Sequence, residues 1–139
     1  MPHFAKAALE RLLPERGIGY LHMPELGGLR KAKPDSINLG WRNVSFRGYA
    51  DYMQTDEFWN GIDRLISLAG DRQIAIMCAE ALPWRCHRSL IADALVVRDV
   101  EVRHITGRSE PANHALTQFA HVHDGRLTYP GPTLTLPIK

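Results

Sequence analysis

The sequence predicts an α/β domain whose mainly parallel sheet has about three strands joined by crossover helices. Two short apolar runs, residues 18–23 and 73–78, have the length and composition of strands, and residues 100–105 alternate between apolar and polar as a half-buried strand does. A segment with helical periodicity precedes each of these runs along the 139-residue chain. Because crossovers join parallel neighbours, we expect the three strands to run parallel in one sheet.

Two helices are predicted from their own periodicity and end signals. In residues 4–13 the apolar side chains recur at helical spacing, and Pro14 with Gly17 closes that helix. The clearest helix begins after Thr55, a good N-cap residue, and its single apolar stripe ends at Gly70. A third helix is predicted to follow the central strand.

Two stretches carry little pattern. Residues 31–47 show little periodicity, and a long irregular stretch inside a compact domain is usually functional or mobile. The tail, residues 106–139, is rich in Pro and Gly and has a weak helical pattern around residues 115–122. We therefore expect one domain over residues 1–139, with a core over about residues 4–105 and a C-terminal extension.

Composition indicates a soluble protein of ordinary type. Apolar residues make up 45% and charged residues 23%, and no apolar run approaches the roughly 20 residues that cross a membrane. The first residues do not resemble a secretory signal, and the two cysteines are expected to stay reduced, so we predict a cytoplasmic protein. A net charge of +2 is too small to indicate nucleic-acid binding by itself.

The most informative segment is residues 78–88, Cys-Ala-Glu-Ala-Leu-Pro-Trp-Arg-Cys-His-Arg. It follows a predicted buried strand and leads into the third predicted helix, which begins at Arg85 or Cys86. In open parallel sheets ligands collect beyond the carboxyl ends of the strands, so this turn is the candidate site. The free N–H groups and the dipole at a helix start favour an anion or a thiolate there.

Cys86 is the better candidate nucleophile, because the helix dipole and the neighbouring cations lower the pKa of a thiol. Cys78, at the end of a strand, is its alternative. A carboxylate and an imidazole in the same turn are suited to proton transfer, and arginine binds phosphate or carboxylate in a bidentate manner. The predicted catalytic residues are Cys78, Glu80, Cys86 and His87, and the predicted anion-binding residues are Arg85, Arg88, Arg30, Arg42 and Arg47.

Structural interpretations compete with these roles. Cys78 is equally well explained as a small core residue, since free cysteine is among the most buried residue types. An arginine at the helix start can pair with Glu80 in a structural clamp. His22 and His104 each share a predicted strand face with apolar residues, so we expect both to be core histidines.

Two other site types fit the motif less well. The gap between Cys78 and Cys86 is wider than the paired spacing of structural zinc sites, so we predict neither a metal nor another cofactor. Phosphatase-like and rhodanese-like enzymes also place a cysteine after a buried strand and an arginine before a helix. Here six residues separate Cys78 from Arg85, more than in those loops, so the motif itself does not match. What this chain shares with such proteins is the general architecture, rhodanese-like or flavodoxin-like.

Several separated motifs resemble one bacterial family, domain of unknown function 488 (DUF488). They are residues 24–28 (Pro-Glu-Leu-Gly-Gly), 41–43 (Trp-Arg-Asn), 46–49 (Phe-Arg-Gly-Tyr), 77–80 (Met-Cys-Ala-Glu) and 86–88 (Cys-His-Arg). The resemblance implies a cytosolic α/β protein whose cysteine motif hints at enzymatic activity. Some members are labelled as related to DNA repair.

The resemblance covers about residues 4–105 and has one departure. Family members usually begin with a strand-helix-strand unit, and this chain starts just after it. We expect the sheet to lack those two strands, which leaves an open edge. A homo-oligomer or the C-terminal tail is expected to cover that edge.

Two function classes follow. The first is a thiol-dependent enzyme acting on an anionic substrate that bears a phosphate or carboxylate. The second is a nucleotide or nucleic-acid binding module, in which basic side chains meet phosphates and aromatic side chains stack on bases. Its basic candidates are Arg30, Lys31, Arg42 and Arg47, and its aromatic candidates are Trp41, Phe46 and Trp84.

Overall fold

The structure is a computed structural model that describes residues 6–28, 30–70, 72–77, 87–107 and 110–131. Over these residues the chain forms four α-helices and two small antiparallel sheets of two strands each. The predicted mainly parallel three-stranded sheet is therefore wrong. The helices are α1 (Lys6–Glu15), α2 (Val44–Tyr52), α3 (Asp56–Ala69) and α4 (Arg88–Val97), and the strands are β1 (Arg103–His104), β2 (Ala112–Asn113), β3 (His121–His123) and β4 (Arg126–Thr128).

The predicted strands fail because short apolar runs do not define a strand unless a neighbour pairs with their backbone. Residues 18–23 and 72–77 contain no strand, and in the first of them Leu21 is 52% exposed. Of the third predicted strand only β1 forms. It pairs antiparallel with β2, with Arg103 opposite Asn113.

The predicted helices are present. In α3 the hydroxyl of Thr55 accepts the N–H of Phe58 at 3.2 Å, and the helix ends at Gly70, as its sequence pattern indicates. Helix α1 extends to Glu15 and includes Pro14 near its end. Helix α4 begins at Arg88, two to three residues later than predicted.

Helix α2 was not predicted, because it begins inside the irregular stretch and Gly48 weakens its helical pattern. The Asn43 side chain caps it by accepting the N–H groups of Ser45 at 2.8 Å and Phe46 at 3.2 Å. A Cβ atom at Gly48 would overlap the carbonyl oxygen of Arg30. Glycine therefore lets the loop that carries Arg30 pack directly on α2.

Helices α2, α3 and α4 surround an aromatic core that the C-terminal segment completes. The rings of Tyr49 and Phe58 lie 5.8 Å apart in an edge-to-face arrangement. Leu127 and Tyr129 are fully buried in the same core. The β3–β4 hairpin positions them, and its two turn residues, Asp124 and Gly125, both have positive φ, as a type I′ turn requires.

Candidate functional site

A tight loop after residue 23 forms one wall of the site. Residues Pro24–Leu26 make a 3₁₀ turn in which the N–H of Gly27 donates to the Pro24 carbonyl at 3.0 Å. Leu26 is buried, and its carbonyl accepts the Tyr49 hydroxyl at 2.7 Å. The loop is thereby attached to α2.

This loop holds the guanidinium group of Arg30 in a defined position. Arg30 donates to the carbonyls of Gly27 at 3.2 Å and Pro24 at 3.1 Å, and its Cζ lies 3.6 Å from the centroid of the Tyr52 ring. None of these contacts is with a carboxylate. The carboxylate of Glu25, in the same loop, pairs instead with Arg64 at 3.2 Å. Arg30 therefore keeps an unneutralised charge among the described residues.

His87 lies beside this loop at the start of α4. Its ring centroid is 4.9 Å from that of Tyr49, and a Cβ atom built on Gly28 would lie 2.9 Å from its Nδ1. Burial lowers the pKa of His87, and the charges of Arg88 and Arg30 lower it further. The imidazole is therefore neutral at pH 7.

Arg88 is the first residue of α4, where the helix dipole is positive. His87 is the N-cap residue, but its side chain makes no capping hydrogen bond. The structure thus brings together Arg30, His87 and Arg88, three of the predicted site residues. We call these three residues the basic cluster.

The remaining predicted site residues divide into two groups. Arg42 is exposed, and Arg47 donates to the Trp41 carbonyl at 3.1 Å, so the described contacts do not join either arginine to the basic cluster. The others lie outside the described residues: Cys78, Glu80, Arg85 and Cys86.

Two of the three aromatic residues predicted to stack on bases, Trp41 and Phe46, pack against other aromatic rings of the protein. The Trp41 ring lies 5.1 Å from Phe46, 4.8 Å from Phe119 and 5.4 Å from Tyr129. Phe46 is buried. Trp84 lies outside the described residues.

Sequence reasoning missed a buried polar network that includes Asp93 of α4, the helix that begins at the basic cluster. His104 Nε2 lies 2.6 Å from His114 Nδ1, and His114 Nε2 lies 2.6 Å from Asp93 Oδ1. Asp93 is fully buried and also accepts the Thr117 N–H at 3.0 Å and the Tyr129 hydroxyl at 2.8 Å. These five residues are spread over residues 93–129, and no local sequence pattern indicates that they meet.

His22 and His104, which were both predicted to be core histidines, differ in their burial. His22 is exposed, whereas His104 is half-buried and hydrogen-bonded. Burial lowers the pKa of His104, as do His114 and Arg88, while Asp93 opposes them. Burial and the charge of Asp93 raise the pKa of Tyr129, so its hydroxyl remains a donor.

Two features are absent from the described part of the chain. It contains no group of three or more His, Cys, Asp or Glu side chains placed to hold a metal ion. No described helix has the length and apolar character needed to cross a bilayer.

The fold and site together define a small mixed helical domain with a basic cluster at the start of a buried helix. The family model for DUF488, a domain of unknown function, matches residues 1–95, and the chain belongs to that family. The match includes the loop of Arg30 and the start of α4. Neither a curated protein nor a solved structure matches the chain.

Proposed function

We propose that the protein is a thiol-dependent enzyme that binds an anionic substrate, bearing a phosphate or carboxylate, at the basic cluster. Arg30 and Arg88 bind the anion, and Arg85 assists them. Cys86 is the nucleophile, with Cys78 as the alternative. Glu80 and His87 are its proton-transfer groups.

The position of Arg30 is the observation that carries the proposal. Arginine side chains are flexible, and ordering one on binding has an entropic cost. Two backbone carbonyls and the Tyr52 ring already hold this guanidinium beside His87. A preordered cation next to the positive end of α4 is suited to an oxyanion.

The state of His87 supports a role in proton transfer. Because burial and the charges of the two arginines lower the pKa of His87, its imidazole is neutral at pH 7 and is a weak base until an anion binds. An anion bound by the arginines would offset their charges and raise the pKa of His87. Substrate binding would thus strengthen this base where it is needed.

The thiol assignment rests on sequence position. Cys86 comes two residues before the first residue of α4, and a thiol close to a helix N-terminus has a lowered pKa. We place the enzyme in the cytoplasm, where such a thiol stays reduced.

We also propose a homo-oligomer. Apolar side chains in the predicted strand segments are about half exposed, among them Ile18 at 53%, Leu21 at 52% and Met77 at 47%. A second copy covering them would remove this surface from water. Light scattering that finds only a monomer at high concentration would contradict the oligomer.

The first experiment measures binding of inorganic phosphate by calorimetry to the full chain. Arg30→Gln and Arg88→Gln should each weaken binding by about tenfold, because each removes a charge-assisted hydrogen bond. Arg11→Gln is the matched control, since Arg11 is exposed on α1. Equal losses in all three variants would contradict a specific anion site.

The second experiment measures alkylation of the two thiols by iodoacetamide as pH is varied. One cysteine should react with a midpoint well below the value of about 8.5 for a free thiol, and Cys86→Ser should abolish that reaction. If both thiols are inert while oligonucleotides bind in a salt-sensitive manner, the nucleic-acid binding alternative is favoured instead.

A further inference from the structure

The buried network between α4 and the C-terminal strands ends at a half-buried histidine near the basic cluster. We propose that Asp93, His114 and His104 form a proton relay that makes Nδ1 of His104 a proton acceptor for chemistry at the anion site. This inference rests on the proposed function, because the anion site is where the proton originates.

Asp93 determines the direction of the relay. Its two carboxylate oxygens accept three hydrogen bonds, from Thr117, Tyr129 and His114. Thr117 donates a backbone N–H and Tyr129 a hydroxyl, so the carboxylate is an acceptor throughout. His114 must then carry its proton on Nε2 to donate to Asp93.

The next step follows from the chemistry of a neutral imidazole, in which one nitrogen donates and the other accepts. With the proton on Nε2, His114 Nδ1 is an acceptor, and it lies 2.6 Å from His104 Nε2. His104 therefore carries its own proton on Nε2. Its Nδ1 is left with a lone pair.

The transfer balances without any further reagent. A proton from an acidic O–H or S–H group at the site passes to Nδ1 of His104 and leaves an anion behind. The Nε2 proton of His104 can move to Nδ1 of His114 at the same time. The positive charge then rests on His114, in contact with the Asp93 carboxylate.

Arg88 connects the relay to the anion site. Arg88 and Asp93 both lie on α4, and the positive charge of Arg88 lowers the pKa of both His87 and His104. The charged or titratable groups that act on His104 are His114, Arg88 and Asp93, and those on His114 include Asp93. Helix α4, which begins with Arg88 and carries Asp93, therefore joins the relay to the basic cluster.

Asp93 and His114 are positioning residues, and their exposure supports that role. Asp93 is fully buried, and the His114 side chain is 8% exposed, so neither reaches a substrate in solvent. His104, at the other end of the chain of hydrogen bonds, is partly exposed. The carboxylate at one end of the relay is buried, and the imidazole at the other end is partly exposed. A base at the edge of a site needs this arrangement, because only its outer end meets the substrate.

The test uses long-range proton–nitrogen NMR on the uniformly ¹⁵N-labelled full chain. His104 should be neutral at pH 7, with its proton on Nε2, and its titration midpoint should lie below the value of about 6.5 for a free histidine. Asp93→Asn should lower that midpoint further, and Arg88→Gln should raise it. A His104 tautomer with the proton on Nδ1 would overturn the relay.

His114→Gln is the second variant, in case Asp93→Asn does not fold. It should make the Nε2 proton of His104 exchange with water faster and broaden its NMR signal, whereas His121→Gln, in exposed β3, should leave that signal unchanged. An unchanged signal in His114→Gln would also overturn the relay.

Inorganic phosphate then distinguishes this inference from the proposed function. Phosphate should raise the titration midpoints of both His87 and His104. If only the His87 midpoint rises, the anion site stands and the role of His104 is wrong. If neither midpoint changes, the anion site itself is wrong, and the role of His104 is wrong with it.

Discussion

The guanidinium carbon of Arg30 lies 3.6 Å from the centroid of the Tyr52 ring. Tyr52 is the last residue of α2, and its hydroxyl donates to the Glu25 carbonyl, so a single side chain both supports the loop and orients the arginine. The basic cluster therefore depends on α2, the one helix that sequence patterns did not indicate.

Tyr52→Leu should weaken phosphate binding about fivefold, because a cation–π contact is worth about 1 kcal/mol. Calorimetric titration of the variant with inorganic phosphate measures the loss. Tyr52→Phe is the matched control, since it keeps the ring and removes only the hydroxyl, and it should stay within about twofold of the parent. Equal losses in both variants would show that the ring does not orient Arg30.

Gly48→Ala should destabilise the fold by about 1–3 kcal/mol, because a methyl group there overlaps the Arg30 carbonyl and lies 2.8 Å from the Ala32 nitrogen. Urea unfolding gives the change in the free energy of unfolding. Gly19→Ala serves as the control, since nothing lies within 4 Å of a Cβ at that position. A neutral Gly48→Ala variant would mean that the loop can move off α2 at little cost.

Asp51→Asn should cost about 2 kcal/mol of stability, because the buried carboxylate accepts three hydrogen bonds that an amide cannot all accept. The donors are the Lys33 N–H at 2.8 Å, the Ser36 hydroxyl at 2.6 Å and the Asn38 amide at 2.8 Å. Thermal and urea unfolding both measure the change. Asp35→Asn, at an exposed position, should be neutral, and an equal loss there would contradict the explanation.

Stability should fall as the pH is lowered from about 7 to about 5, since the pKa of His87 is lowered in the folded protein. Above the unfolded pKa of about 6.5 both states are neutral, and no effect is expected. Below a pH of about 6.5 His87 binds a proton in the unfolded chain but stays neutral in the folded protein. The stability loss continues until the pH falls below the folded pKa.

Urea midpoints across this pH range measure the effect. His87→Gln should flatten the profile, and the remaining slope should include the contribution of His104, whose pKa is lowered as well. An unaltered slope in His87→Gln would contradict the assignment.

Sequence patterns predicted the elements whose signals are local. Thr55 caps α3 and Gly70 ends it, because capping and helical periodicity involve residues within a few positions of each other. The placement of His87 and Arg88 at a helix start was predicted for the same reason. The Asp124–Gly125 turn was an equally local signal for a hairpin, and it was overlooked.

The parallel sheet was predicted wrongly because a segment forms a strand only when a neighbouring strand pairs with its backbone. Residues 18–23 are apolar and aromatic, yet no described strand pairs with them, and Ile18 is 53% exposed. Helix α2 was missed because Gly48 and several polar residues weaken its pattern. The close approach of the Arg30 loop explains the glycine, and that approach is a tertiary contact.

The amino-acid sequence alone determines three features, because each depends on neighbours along the chain. They are membership of the family, the N-cap and apolar stripe of α3, and the group of basic residues around residue 88. The packing of Arg30 on Tyr52 and the meeting of Asp93, His114 and His104 cannot. These contacts join residues separated by 10 to 22 positions, and chain packing alone decides which distant side chains share a buried space.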